Sequence, residues 1–262
     1  MKISANGIEV HYSLEGPRSA PVVMMSHSLA TDAGMWDPQA AMLARAYRVL
    51  RYDTRGHGAT DAPSGPYSLE MLTGDAHALT EALGIGEAHW VGISMGGMIG
   101  QMFALMYPQR LLSLSLCDTM CVLPPEALGA WRERIDTAES EGMEPLVAPT
   151  IDRWFSPEFV EREPAAVDRI RDTIRATPVA GYVGCSHAIM QLNLTTRLRE
   201  IDMPTLIVVG EDDPGTPVAA SEQIHAEIAD SRLVILPGAR HLSNLEAAPG
   251  FNAALSGFLE DT

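Results

Sequence analysis

The stretch Gly92-Ile93-Ser94-Met95-Gly96, followed by Gly97, has the residue types and spacing for nucleophilic chemistry. It lies between a strand-like run, His89-Trp90-Val91, and a helical run from Met98 to Met106, so Ser94 falls on a strand-to-helix turn. Such a turn lifts the hydroxyl above the sheet and brings neighbouring backbone so close that only glycine fits two residues to either side. A serine hydroxyl is a poor nucleophile at neutral pH. It needs a base to take its proton and an acid to orient that base.

Both partners occur later in the chain. The strand-like run Leu206 to Val209 ends in Gly210-Glu211-Asp212-Asp213-Pro214, which places three carboxylates after a late strand. Asp213, the third residue after Gly210, is the favoured acid, with Asp212 next. Of the eight histidines, only His225 and His241 follow that acid, and His225 sits inside a helical stretch. His241, in Pro237-Gly238-Ala239-Arg240-His241 after the last strand, is therefore the expected base. The order serine, acid, histidine is that of α/β-hydrolases. Attack on an ester carbonyl also develops an oxyanion that needs fixed donors. The backbone N–H of Met95 supplies one, and Leu29, beside Ser28 in the loop Ser26 to Asp32, supplies the other, with His27 bracing that loop.

The elements that must hold these residues are legible in outline. Ile8 to Leu14 alternates with period two and reads as an antiparallel edge strand, while Pro21 to Met25 reads as a buried central one. A helix with Met35, Trp36, Leu43 and Ala46 inward leads to the strand Tyr47 to Tyr52. The following Asp53-Thr54-Arg55-Gly56-His57-Gly58 offers possible metal ligands in Asp53 and His57, but its glycine punctuation reads as an internally bonded turn. Tyr67 to Leu83 is helical, with His77 on its face, and Leu111 to Leu116 is a further buried strand. From Leu123-Pro124-Pro125 to about Glu200 strand signals vanish and amphipathic helical runs take over. After Met203-Pro204 strands and helices alternate again to Leu259. The expectation is an α/β fold of the α/β-hydrolase type: a mostly parallel central sheet with helices on both faces, formed by residues 1–122 and 203–262, and a helical cap insertion at 123–202.

Composition sets limits on partners. Lysine plus arginine number 18 against 34 aspartates and glutamates, and the net charge of −16 opposes a non-specific grip on nucleic acid or anionic lipid. An anionic substrate would need a local arginine to offset that field. Cys117, Cys121 and Cys185 lack metal-ligand spacing and read as buried structural residues of a reducing compartment. The amino-terminal residues carry no apolar signal core and no run approaches a membrane span, so a cytoplasmic protein is expected. No metal or organic cofactor is required by the chemistry, and the sequence leaves the oligomeric state open.

The chain resembles the 3-oxoadipate enol-lactonases, α/β-hydrolases that open an enol-lactone in bacterial aromatic catabolism. The resemblance rests on Met25-Ser26-His27-Ser28-Leu29 with Met35-Trp36-Asp37-Pro38, on Arg51 to Gly58, on the turn around Ser94 with Gly97-Met98, and on His241-Leu242-Ser243-Asn244. It extends into the cap through Trp131-Arg132-Glu133-Arg134-Ile135 and Ala180 to Cys185. It departs in Ile93 and Met95, where the family carries leucine, and in Arg240 before the base. The resemblance implies a role for Trp131 and Arg134 in handling an anionic substrate. Their i, i+3 spacing puts both on one helix face, and a guanidinium suits a carboxylate. It implies hydrolysis of a small anionic enol-lactone through an acyl-enzyme. A carboxylesterase for short neutral acyl esters is the alternative, and a lyase or a ligand receptor would use the same scaffold without hydrolysis.

Overall fold

The computed structural model describes residues 1–262. In chain order, β1 (Lys2–Ala5), β2 (Ile8–Glu15) and β3 (Val22–Ser26) lead through α1 (Asp37–Leu43) to β4 (Arg48–Tyr52). Then come α2 (Leu69–Ala82), β5 (Ala88–Ile93), α3 (Met95–Met106) and β6 (Leu111–Cys117). Five helices follow without a strand: α4 (Leu128–Glu141), α5 (Glu144–Trp154), α6 (Pro157–Arg162), α7 (Pro164–Ala176) and α8 (Val179–Met190). The chain closes with β7 (Thr205–Gly210), α9 (Val218–Glu227), β8 (Ser231–Leu236), α10 (Ser243–Glu246) and α11 (Ala248–Glu260).

The eight strands form one sheet in the order β1-β2-β4-β3-β5-β6-β7-β8, antiparallel through β1, β2 and β4 and parallel from β4 onward. Every residue of β3, β5 and β7 is buried, as parallel strands covered on both faces must be. Helices α2, α3 and α9 pack on one side, and α1 with α11 on the other. The sheet therefore aligns the carboxyl ends of β3, β5, β6 and β7 along one edge, where open α/β sheets bind ligands.

Two local expectations need correction. The run Ile8 to Leu14 is not the edge strand: β1 pairs outside it, from Lys2↔His11 to Ala5↔Ile8. The two strands are joined at Asn6-Gly7, both with positive φ (47° and 77°), the backbone that a two-residue hairpin turn requires. Ala46 does not face inward either. The helix stops at Leu43, and Ala46 is exposed in the turn before β4.

The helices α4 to α8 leave and rejoin the sheet at one place. Val122 and Asn193 form a β-bridge, flanked by Leu123 N–H donating to Leu192 O and Leu194 N–H to Cys121 O. The return segment Thr195–Glu200 then packs on α3 and α9. One continuous cluster of 72 buried apolar residues includes Leu146, Ile151 and Ile170 of these helices together with the sheet residues, so the helical layer shares the core rather than carrying a separate one. No helix is long and apolar enough to cross a membrane.

Candidate active site

The turn at Ser94 is built by exclusion of side chains. A Cβ on Gly92 would lie 2.1 Å from Gly96 O, and one on Gly96 would lie 2.2 Å from Ser26 O. With both approaches reserved for glycine, Ser94 is held at φ 55°, ψ −118°, a conformation rarely adopted by a residue with a side chain. Its backbone is tied on both sides: Ser94 N–H donates to Cys117 O at 2.8 Å, and Ser94 O accepts from Thr119 Oγ1 at 2.8 Å.

Ser94 Oγ–H donates to His241 Nε2 at 2.9 Å, and His241 Nδ1–H donates to Asp213 Oδ2 at 2.7 Å. All three residues are buried. Asp213 is further held by Gly215 N–H and Thr216 N–H on Oδ1 (2.7 and 3.1 Å) and by Thr216 Oγ1 on Oδ2 (2.5 Å). Asp212 and Glu211, by contrast, are exposed. Burial alone would raise the Asp213 carboxyl, but the charge of His241 and the bonds from His241 and Thr216 outweigh it and hold the group below its ordinary value. Burial alone would lower His241, yet the Asp213 charge, the bond to Asp213 and the charge of Asp118 lift it above the ordinary imidazole value. The constellation thus pairs an ionised acid with a histidine more basic than usual, in contact with a hydroxyl.

The loop after β3 supplies a free donor beside this relay. Ser28 N–H points to Met35 Sδ at 3.5 Å and Ala30 N–H donates to His57 Nε2 at 3.0 Å, but Leu29 N–H, between them, has no protein acceptor. Met95 opens α3, so its N–H has no acceptor within the helix. The loop's shape is fixed by two neutral imidazoles. His27 Nε2 accepts from Thr54 N–H at 2.9 Å while its Nδ1–H donates to Ser28 O at 2.7 Å. His57 accepts from Ala30, which is held at φ 58°. Burial, reinforced by His27, pushes His57 down to about 3, and burial likewise lowers His27, so both nitrogens that must accept a bond stay unprotonated. The Asp53 carboxylate is occupied by Ala33 N–H, Ala59 N–H and His11, each at 2.9 Å, which makes this segment a bonded turn.

Ser94 and His241 open into a cavity of about 590 Å³ roofed by α4, α5 and α8. Trp131 and Arg134 of α4 both line it, with the guanidinium 5.1 Å from the indole centroid. Ser28 also lines it, and its buried hydroxyl has no protein partner.

Two functional candidates were not singled out from the sequence. Arg153 of α5 lines the same cavity; Leu146, Thr150, Arg153 and Trp154 share one helix face, a spacing that could have flagged it. Asp118 follows β6 at φ 42°, fully buried, accepting Gly210 N–H at 2.8 Å and Ser243 Oγ–H at 2.5 Å. Burial and the neighbouring Asp213 charge push its carboxyl far up. Its signal was a carboxylate directly after a buried strand, on the edge that carries the site.

A strained serine after the fifth strand, a buried acid and histidine after the seventh and eighth, and a mostly parallel sheet define an α/β-hydrolase. The chain belongs to the alpha/beta hydrolase fold family, whose sequence model matches residues 21–248. It is similar to 3-oxoadipate enol-lactonase 2 of Acinetobacter baylyi, 33% identical over 258 residues covering 98% of this chain and 96% of that protein. The crystal structure of the enol-lactonase from Burkholderia xenovorans LB400 superposes with a TM-score of 0.96 at 38% identity, covering 99% of this chain and 100% of the other. A thermophilic esterase from Thermogutta terrifontis, solved with malate bound, gives a TM-score of 0.93 at 28% identity over 100% of this chain and 98% of its own. The protein is accordingly an enzyme of the hydrolase class.

Proposed function

We propose that the protein is a serine hydrolase that opens a small anionic enol-lactone, with 3-oxoadipate enol-lactone the leading substrate. Ser94 attacks the lactone carbonyl as His241 takes its proton, and Asp213 keeps the imidazole in the required tautomer and stabilises the imidazolium. The N–H groups of Leu29 and Met95 hold the oxyanion. Collapse expels the ring oxygen as an enol that stays tethered to the acyl group, and His241 supplies its proton. Water, deprotonated by His241, then releases the acid from Ser94. The side chains and amides of the chain suffice for these steps, and small-molecule ester or lactone is the partner they call for.

The observation that carries the reading is Arg134 in the same cavity as Ser94, with Trp131 beneath it and no carboxylate within 4.0 Å, in a protein of net charge −16. A guanidinium left free at a pocket wall is matched to a carboxylate on the ligand. The two enol-lactonase relatives support the choice of lactone, and the malate in the related esterase supports the choice of anion. Residues 123–202 serve as the cap, with the strip after Asn193 as its return to the core.

A specific observation favours a second reading. The cavity, at about 590 Å³ and lined mainly by apolar residues, exceeds what a six-carbon lactone fills, which leaves room for the acyl chains of a carboxylesterase. Initial rates on 3-oxoadipate enol-lactone beside a short neutral aryl ester separate the two. A much larger kcat/KM on the lactone is expected. Preference for the neutral ester would make the protein a carboxylesterase.

A further inference from the structure

The cavity carries a second cation. Arg153, on α5, donates to Thr150 Oγ1 at 2.9 Å and, like Arg134, has no carboxylate within 4.0 Å, whereas Arg51, Arg55 and Arg110 each have at least one. Both guanidiniums and Tyr182 line the same space, and the one carboxylate on its lining is Glu126. Two like charges share that lining, and neither is paired with a carboxylate of the chain. Burial, then the charge of Arg134, pulls Arg153 down to about 10, the signature of a cation held where it is poorly solvated and repelled. A bound anion removes that repulsion.

The position of Arg153 also has a direction. The next residue, Trp154, stacks its ring on the His241 imidazole with centroids 6.0 Å apart, and Trp154 O accepts Leu242 N–H at 3.3 Å. Arg153 is thereby tied to the His241 side of the relay. The oxyanion donors Leu29 and Met95 belong to the other loops, after β3 and β5. His241 is the group that hands a proton to the departing oxygen, so what lies beside it is the leaving-group half of the ester.

Resting on the serine-hydrolase reading above, we propose that Arg153 is a specificity-determining residue, the second half of a two-guanidinium subsite with Arg134 that takes a carboxylate carried on the leaving-group side of the scissile bond. The substrate class is then narrower than anionic esters. It comprises esters and lactones whose alkoxy or enol fragment, rather than the acyl fragment, bears the acid.

Regioisomeric half-acids test this. In 4-acetoxybenzoate the carboxylate is on the leaving group; in mono-4-nitrophenyl adipate it is on the acyl group. Each is compared with its own methyl ester, with every kcat/KM divided by that ester's hydroxide rate constant, so that the anion-to-neutral ratio is read free of differences in intrinsic reactivity. For the wild type a larger ratio is expected with the leaving-side acid. Arg153→Gln should cut that ratio by about tenfold or more, chiefly through KM, with Arg153→Lys recovering part of it, while the acyl-side ratio moves by less than about threefold. In parallel, calorimetric titration of Ser94→Ala with 4-acetoxybenzoate and with its methyl ester reads binding without turnover, and Ser94→Ala/Arg153→Gln should lose the preference for the anion. Equal losses on all four esters, or a larger loss on the acyl-side acid, would reduce Arg153 to a brace of α5 and overturn the proposal. So would equal binding of acid and methyl ester. If the enol-lactone proves a poor substrate while these ratios behave as expected, the lactonase reading fails and the subsite stands.

Discussion

The floor and the roof of the cavity are made differently. The floor consists of loops at the carboxyl edge of the sheet, and its acid and serine are held from several sides: Asp213 accepts from His241, Gly215 and Thr216, and Ser94 is fixed by Cys117, Thr119 and two glycine contacts. The roof, α4 and α5, presents Trp131, Arg134 and Arg153 with few partners beyond one another and Thr150. Chemistry needs groups placed to within a fraction of an ångström, and the mechanism proposed above draws its groups from the over-determined floor. Recognition tolerates adjustment, and the proposed anion contacts are half-buried side chains on helices, where exchange of one residue should alter the ligand without disturbing the floor.

That contrast can be broken or sharpened by substitution. The largest effect is expected for Ser94→Ala, which should lower kcat by roughly 10³–10⁶-fold with the far-ultraviolet spectrum and melting temperature preserved. Substantial residual turnover would remove Ser94 from the mechanism. Asp213→Asn should cost about 10⁴-fold in kcat by stabilising the wrong tautomer of His241. It should also move the pH profile. His241 must be neutral to act as a base, and its value is raised, so wild-type kcat/KM should climb with pH through a midpoint above 6.5; loss of the Asp213 charge should shift that midpoint down. An unshifted midpoint would mean that another group controls it.

A smaller effect tests the support of the floor. Asp118→Ala leaves Gly210 N–H and Ser243 Oγ without their acceptor in a fully buried place, and should lower unfolding stability by about 1–3 kcal/mol in urea titration. A change within a few tenths would show that Asp118 is dispensable to the fold. The smallest effect belongs to the roof. Arg134→Gln should raise KM for the anionic lactone by roughly tenfold, about 1.4 kcal/mol, with little change in kcat. If kcat falls as much as KM rises, the roof takes part in the chemistry and the division drawn above is wrong.

Much of the floor was legible in the sequence because its constraints are local. Steric exclusion at Gly92 comes from Gly96, within the turn itself, and it writes itself into residue identity, whereas Gly96 is reserved by Ser26 of the neighbouring strand. The buried strands β3 and β7 appear as apolar runs, Val22 to Met25 and Leu206 to Val209, for the same reason. The hairpin at Asn6-Gly7 is equally local, and it places β1 outside β2, which makes an inner strand of a run whose alternation alone reads as an edge.

The sequence by itself determined the glycine-flanked turn at Ser94, the histidine after the last strand and the α/β alternation that orders them. Only the tertiary structure decided which of three consecutive carboxylates meets His241, since Asp212 and Asp213 differ in nothing but the direction in which one loop turns them. It alone brought Ser94 to His241 across 147 residues, placed Asp118 against Gly210 and Ser243, and turned Arg153 into the space already occupied by Arg134. Those pairings depend on the packing of sheet and helices around a shared core. No local pattern encodes them, because the free energy that selects them is spread over the whole of that core.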